Sequence, residues 1–254
     1  MTTLTPNARR ITALGRFELT LLVRNRAALG VALMMPLLMV FVLRSSLSGV
    51  EGAAAVGEAT LTGGIGMVLL LVVHMNLVSA YVARREELVL KRLRTGEARD
   101  LEILAGTALP AACLALGQIA VLAVAGALAL DVRMPQNPLL LTAAVLAGLL
   151  LLAALSAVTS SFTRTVETAG LTTLPLFLAT VLGSGLFAPT DSLPDLAASL
   201  CELLPLSGVM TLVRAGWSGG AEGADLLGAG LNALAWIVIS VFAVQRWFRW
   251  EPRR

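Results

Sequence analysis

The sequence predicts an all-α integral membrane protein of six transmembrane helices, with an amphipathic interfacial helix at its start and a re-entrant helical segment between spans 5 and 6. Three observations predict it. Hydrophobic residues make up 57% of the 254 and charged residues only 14%, giving a mean hydropathy of +0.85. The apolar residues gather in continuous runs of about twenty, the length at which a helix crosses a hydrocarbon core, and do not alternate at period two as in a barrel. Six such runs also sort the cations: all but three of the 19 lysines and arginines fall on the side of the N-terminus, leaving Arg44, Arg133 and Arg214 opposite, while the 16 acids divide evenly. The positive-inside rule makes the richer side cytoplasmic and places both termini there.

In residues 7–26, Ile11, Leu14, Leu21 and Leu22 share one helical face and Arg9, Arg16, Thr20 and Arg24 the other, the pattern of a basic helix lying in the membrane interface. The first span is 27–43. Pro36 near its middle removes a donor, frees one backbone carbonyl and bends the helix, and Arg44 snorkels to the far interface. An uncleaved span is preferred here to a secretion signal, because the leading segment is long, carries Glu18 and is followed by further spans. The loop 45–60 is small and acidic, with no legible chemistry.

The second span, 61–83, opens with Gly63, Gly64 and Gly66, small residues that permit close helix approach. Its latter half holds Asn76, Ser79 and the only histidine, His74. The inner loop 84–102 then carries the densest charge in the chain and its only lysine, Lys91. The third span, 103–130, is long enough to tilt or to begin with an interfacial turn, and Pro110 lies in its first part. A turn with Pro135 and Pro138 leads to the fourth span, 139–161. Arg164 and Glu167 mark a brief inner loop before the fifth, 169–187, which contains Pro175. Segment 188–220 is apolar but broken by Pro189, Pro194 and Pro205, and pieces too short to span suggest a re-entrant outer segment. The sixth span is 226–244. Trp247, Phe248 and Trp250 follow it, suited to the headgroup level. The whole, 1–254, reads as a single transmembrane domain.

Much chemistry is missing. There is no GxxxxGK[ST] phosphate loop, no metal-ligand spacing with one histidine and two distant cysteines, no serine triad within reach of His74, and no carboxylate inside any span. Nucleic acid is not an expected partner, and no cofactor is expected on this chain. In the inner loop, however, Leu88, Val89, Leu90 and Leu93 stand among Glu86, Glu87, Lys91, Arg92 and Arg94. A short helix there would offer apolar knobs and both charge signs to a partner, where a merely solvated loop needs neither.

Two stretches carry a family resemblance. Residues 85–106, REELVLKRLRTGEARDLEILAG, and 183–216, GSGLFAPTDSLPDLAASLCELLPLSGVMTLVRAG, are similar in motif, order and topology to the membrane permeases of bacterial ATP-binding-cassette exporters of the second export type, the ABC-2 type. Two departures stand out: Leu88 and Val89 where that family usually has glycine soon after the Arg-Glu pair, and Thr95-Gly96-Glu97 where it often has Thr-Pro. The resemblance implies a permease homodimer joined to two ATPase subunits, with ATP and magnesium held by those partners, in the bacterial inner membrane. It also implies that residues 84–99 of the coupling loop 84–102 include the ATPase-coupling helix, to which Arg85, Glu86, Glu87, Leu90, Lys91, Arg92 and Leu93 are assigned. An outer gate would include Pro189, Leu193, Pro194, Pro205 and Arg214.

With only 5% aromatic residues and no ring cluster for stacking on sugars, a hydrophobic drug, antibiotic or lipid is the expected cargo, ahead of a polysaccharide or glycolipid. His74, Asn76, Thr172, Thr173, Thr180 and Ser184 are the candidate pathway residues, with helix-to-helix hydrogen bonding as their other role. A secondary carrier outside the family, or a membrane immunity protein, are the competing classes.

Overall fold

The computed structural model describes residues 20, 26–47, 53–94, 99–130, 132–183 and 195–251. Residues 7–19 and 21–25 of the expected interfacial helix lie outside them, as do 95–98 of the inner loop and Ser184, Pro189, Leu193 and Pro194. Every regular element among the described residues is helical. Five helices are long and apolar enough to cross a membrane: Ala55–Glu86, Asp100–Ala129, Pro138–Phe162, Val166–Gly183 and Gly223–Trp247. The chain is an all-α integral membrane protein.

Helix α1, Arg26–Leu47, covers the expected first span, with Pro36 inside it. It lies against α5, Asp100–Ala129. The second span is one continuous helical rod in three parts: α2, Ala53–Val68, a π-helical segment Leu69–Met75, and α3, Asn76–Glu86. The π segment is absent from the sequence reading, because one wider turn does not alter a stretch that is apolar on every side. The rod sits at the centre of the fold, and Leu61, Ile65, Leu69, Leu70, Val73 and Leu77 are buried in the core.

Helix α4, Val89–Arg94, is a short turn-sized helix in the inner loop. The following α5 starts where the Glu102 carboxylate accepts the backbone N–H of Arg99 at 2.9 Å, one half of a capping box. At 30 residues it is about 45 Å long, more than one hydrocarbon thickness. Helix α6, Pro138–Phe162, begins with two start signals: Asn137 accepts from Leu140 N at 3.0 Å and Pro138 stands at the first helical position. Helix α7 is Val166–Gly183.

The proline-broken segment resolves, within its described part, into α8, Asp195–Glu202, and α9, Ser207–Ser218, with the buried Pro205 between them. Helix α9 is packed between α6 and α10, Gly223–Trp247. Its C-terminal carbonyls serve the start of α6, with Gln136 N bonding Trp217 O at 3.0 Å and Asn137 N bonding Gly216 O at 2.9 Å. Gly216 is required there: a Cβ would stand 2.7 Å from the Leu141 backbone nitrogen, which cannot move aside without breaking the α6 ladder. From α10, Asn232 Nδ2 donates to Glu202 O at 3.0 Å and Trp236 Nε1 to Leu203 O at 2.8 Å. These bonds satisfy carbonyls that the α8–α9 break would leave open.

Candidate functional site

At the end of the second span, Arg84 and Arg85 occupy the last turn of α3, Glu87 is its C-cap, and Leu88 follows with φ of 60°. Among the described residues Leu88 is the one non-glycine with positive φ. Its N–H bonds Arg85 O at 3.1 Å and its carbonyl accepts from Arg92 N at 3.0 Å, so one left-handed residue closes α3 and opens α4. This is the geometry in which a helix usually ends on glycine.

The charges of the turn divide into two sets. Arg85 points inward and is 1% exposed. Its Nη1 donates to Ser160 O at 2.8 Å and its Nη2 to Thr163 O at 2.6 Å. Those carbonyls lie at the C-terminal end of α6, where backbone acceptors are incompletely satisfied, Ser160 O having the Thr163 N–H at 3.2 Å, and the helix dipole favours a cation. Arg85 therefore fastens the turn to α6. Glu86, Glu87 and Arg92 are exposed beside Leu88, and Leu93 is half-buried. Leu90, expected as an outward apolar anchor, is 0% exposed and holds α4 down on the membrane bundle. The Lys91 side chain lies outside the described ones.

The far end of α4 is tied as well. Arg94 Nε pairs with Asp100 Oδ1 at 3.1 Å, and its guanidinium carbon lies 4.9 Å from the centroid of a Trp250 ring. Trp250 meets Phe248 edge-on at 4.8 Å, and Phe248 meets Tyr81 edge-on at 6.2 Å. The Tyr81 hydroxyl donates to Leu104 O at 3.1 Å. A chain of rings thus runs from the short helix to the second and third spans. The sequence reading missed it, having placed the tail aromatics at the headgroups; the signal was Tyr81, the chain's only tyrosine, one turn before the arginines.

The described pathway candidates differ in their surroundings. His74 is fully buried, with Nδ1 3.1 Å from Ser156 Oγ on α6, a bond between helices. Asn76 is exposed. Thr172 bonds Thr168 O at 2.9 Å and Thr173 bonds Gly170 O at 2.9 Å; these hydroxyls serve carbonyls of their own helix, correcting the expectation of bonds across helices. Thr180 is buried. At the other end of the bundle, Pro205 is buried and Arg214 half-buried on α9.

The family model described as ABC-2 type transporter matches residues 9–217. No curated protein matches the chain in sequence.

Proposed function

The chain belongs to the ABC-2 type transporter family, and from that premise we propose that it is the permease subunit of an ATP-driven exporter, paired with a second copy of itself and driven by two ATPase subunits on other chains. It is a multi-pass membrane transport permease. The family assignment removes the reading as a carrier of another class.

The observation that carries the proposal is the turn after the second span. Glu86, Glu87 and Arg92 stand exposed on it, while Arg85 and Leu90 lock its base into the bundle. A polar knob of both signs on a rigid base is what a partner needs in order to push on the membrane part, because a flexible loop would absorb the displacement. Through Arg85 a shift of the turn moves α3 and the end of α6 together, and through Arg94 and Trp250 it reaches Tyr81 and α5. Glu86, Glu87, Lys91 and Arg92 are the polar docking groups and Leu93 the apolar one; Leu90 acts from inside. The partner binds ATP and magnesium and does the hydrolysis.

The proposed setting is the bacterial inner membrane with both termini cytoplasmic, and the proposed cargo is a hydrophobic drug, antibiotic or lipid-like molecule leaving the cytoplasm or inner leaflet. Both follow the cation sorting and the scarcity of aromatic and intramembrane charged groups. The segment of Pro189, Leu193, Pro194, Pro205 and Arg214 is the proposed outer gate.

Glu86→Lys with Glu87→Lys tests the docking assignment. Both side chains are exposed, so the double variant inserts and unfolds like the parent, while export and stimulation of the co-purified ATPase are lost. Full export and full stimulation in that variant overturn it.

A further inference from the structure

A cavity of about 290 Å³ opens between the second, third, fourth and sixth spans, and nothing in the proposed export route uses it. Tyr81 of α3, Leu101 and Ala105 of α5, Leu150 and Ala154 of α6 and Val244 of α10 are among its walls. Three of the helices present the same end here, Tyr81 lying near the close of α3, Leu101 in the first turn of α5 and Val244 near the close of α10, while α6 contributes residues from its middle, Leu150, onward. Arg84 and Arg85 stand in the last turn of α3 and Arg246 in that of α10, at this end.

Tyr81 is the one polar lining residue, and its hydroxyl is engaged by the Leu104 carbonyl at 3.1 Å. The walls are therefore carbon. Leu101 is 52% and Leu150 55% exposed, so the mouth opens on the outer face of the chain rather than toward the bundle axis. The volume is at the small end for a ligand pocket, which suits a slender chain better than a fused-ring drug.

A cation stands at the lip. Arg84 is one turn beyond Tyr81, and its Nη1 donates to Thr107 Oγ1 at 3.2 Å. Residues three apart share a helix face, so Arg84 lies on the Tyr81 side of α3, one turn nearer the end of the helix that leads into the charged turn. Exposed Arg246 and Arg249 add positive charge at the same level, and no acid lines the groove.

We propose that this groove seats one acyl chain of an anionic phospholipid, with its headgroup on Arg84. The chain lies against the Tyr81 ring, which packs on Phe248 and so, through Trp250, on Arg94 of the short helix. A bound lipid thereby steadies the turn that Arg85 anchors. The source leaflet is the cytoplasmic one, which rests on the topology proposed above.

The test uses the purified permease in neutral detergent with no ATPase present. Palmitoyl-oleoyl phosphatidylglycerol and the phosphatidylcholine of identical chains are each added, and retained lipid is read by native mass spectrometry beside the thermal unfolding midpoint. One phosphatidylglycerol is expected to be retained, about fivefold more tightly than phosphatidylcholine, the preference one arginine at a membrane surface supplies. Ala105→Trp, and independently Leu150→Trp, plug the mouth and remove both the retained lipid and its thermal shift. Arg84→Gln keeps chain binding and cuts the phosphatidylglycerol preference, leaving only what Arg246 and Arg249 contribute. Equal affinity in the parent overturns the proposal, and so does a phosphatidylglycerol preference undiminished by Arg84→Gln or a retained lipid that survives both plugs. Because no nucleotide or partner enters the assay, its failure leaves the export reading standing, and failure of the Glu86/Glu87 test leaves this one standing.

Discussion

The side-chain amide of Gln118 donates to the carbonyl of Ala32 at 2.7 Å, and that carbonyl is the one Pro36, four residues on, leaves without a helical donor. An unpaired carbonyl inside a bilayer has no water to turn to. Gln118, buried on α5, supplies the missing donor and ties the first span to the third.

Gln118→Leu is expected to lower stability by about 1 kcal/mol, the scale of an interhelical hydrogen bond in a membrane. Pro36→Ala in that background restores most of the loss, because residue 36 regains an N–H for Ala32. Unfolding in mixed micelles measures both, and the coupling is the informative quantity. If Pro36→Ala gives no recovery, the Gln118 bond is not answering the proline.

Arg85 and Glu86 are neighbours in sequence and opposite in role. Arg85→Leu removes the Thr163 carbonyl's guanidinium donor and leaves Ser160 O with the Thr163 N–H at 3.2 Å, and is expected to cost about 3 kcal/mol, the range found when one side of a buried charged interaction is removed. Arg85→Lys recovers only part, since a single ammonium does not reproduce the fork that meets Ser160 and Thr163 separately. By contrast Asp100→Asn, at an exposed pair with Arg94, changes stability by less than about 1 kcal/mol. Thermal midpoints of the three variants rank these effects.

What the sequence made legible follows from periodicity and charge. The spans stood out because twenty apolar residues have few other fates in water, and the freed carbonyl at residue 32 was readable from Pro36 alone. Its partner was not, because Gln118 is 86 residues away and looks like any polar residue in a span. The inner loop was located by its charge. Which of its groups face inward was hidden, since Arg85 and Arg92 obey the positive-inside rule equally well although one caps α6 and the other meets solvent. Leu90 misled for a related reason: Leu-Val-Leu beside charges fits a knob for a partner and a knob for the chain's own bundle alike.

Leu88 gives a prediction of the opposite sign. With φ of 60° it occupies the region that costs an L-residue about 1–2 kcal/mol and glycine little. Leu88→Gly is expected to stabilise by about 1 kcal/mol less what the half-exposed side chain contributes, and Leu88→Val, with a branched Cβ in the same conformation, to destabilise. The resemblance already set glycine near this place. Thermal unfolding of the pair decides it, and a Leu88→Gly variant less stable than Leu88→Val contradicts the left-handed turn.

His74 invites a role as proton carrier, being the only histidine and lying in a π-helical turn, a feature often met at functional sites. Its bonds argue otherwise. Ser156 Oγ donates to Leu152 O at 2.6 Å, and one hydroxyl has one hydrogen, so at 3.1 Å from His74 Nδ1 it accepts. The imidazole is then the Nδ1–H tautomer, and among the described residues its buried Nε2 meets no hydrogen-bond partner, so none of their side chains continues a relay from it. His74→Leu leaves Ser156 bonded to its own helix and removes that idle acceptor, so stability stays within about 1 kcal/mol of the parent. Export should persist, with the same dependence on pH across roughly 5.5 to 8, the interval in which a histidine switch would act. A tenfold loss of export in a variant that still unfolds at the parent temperature would instead give His74 a part in transport.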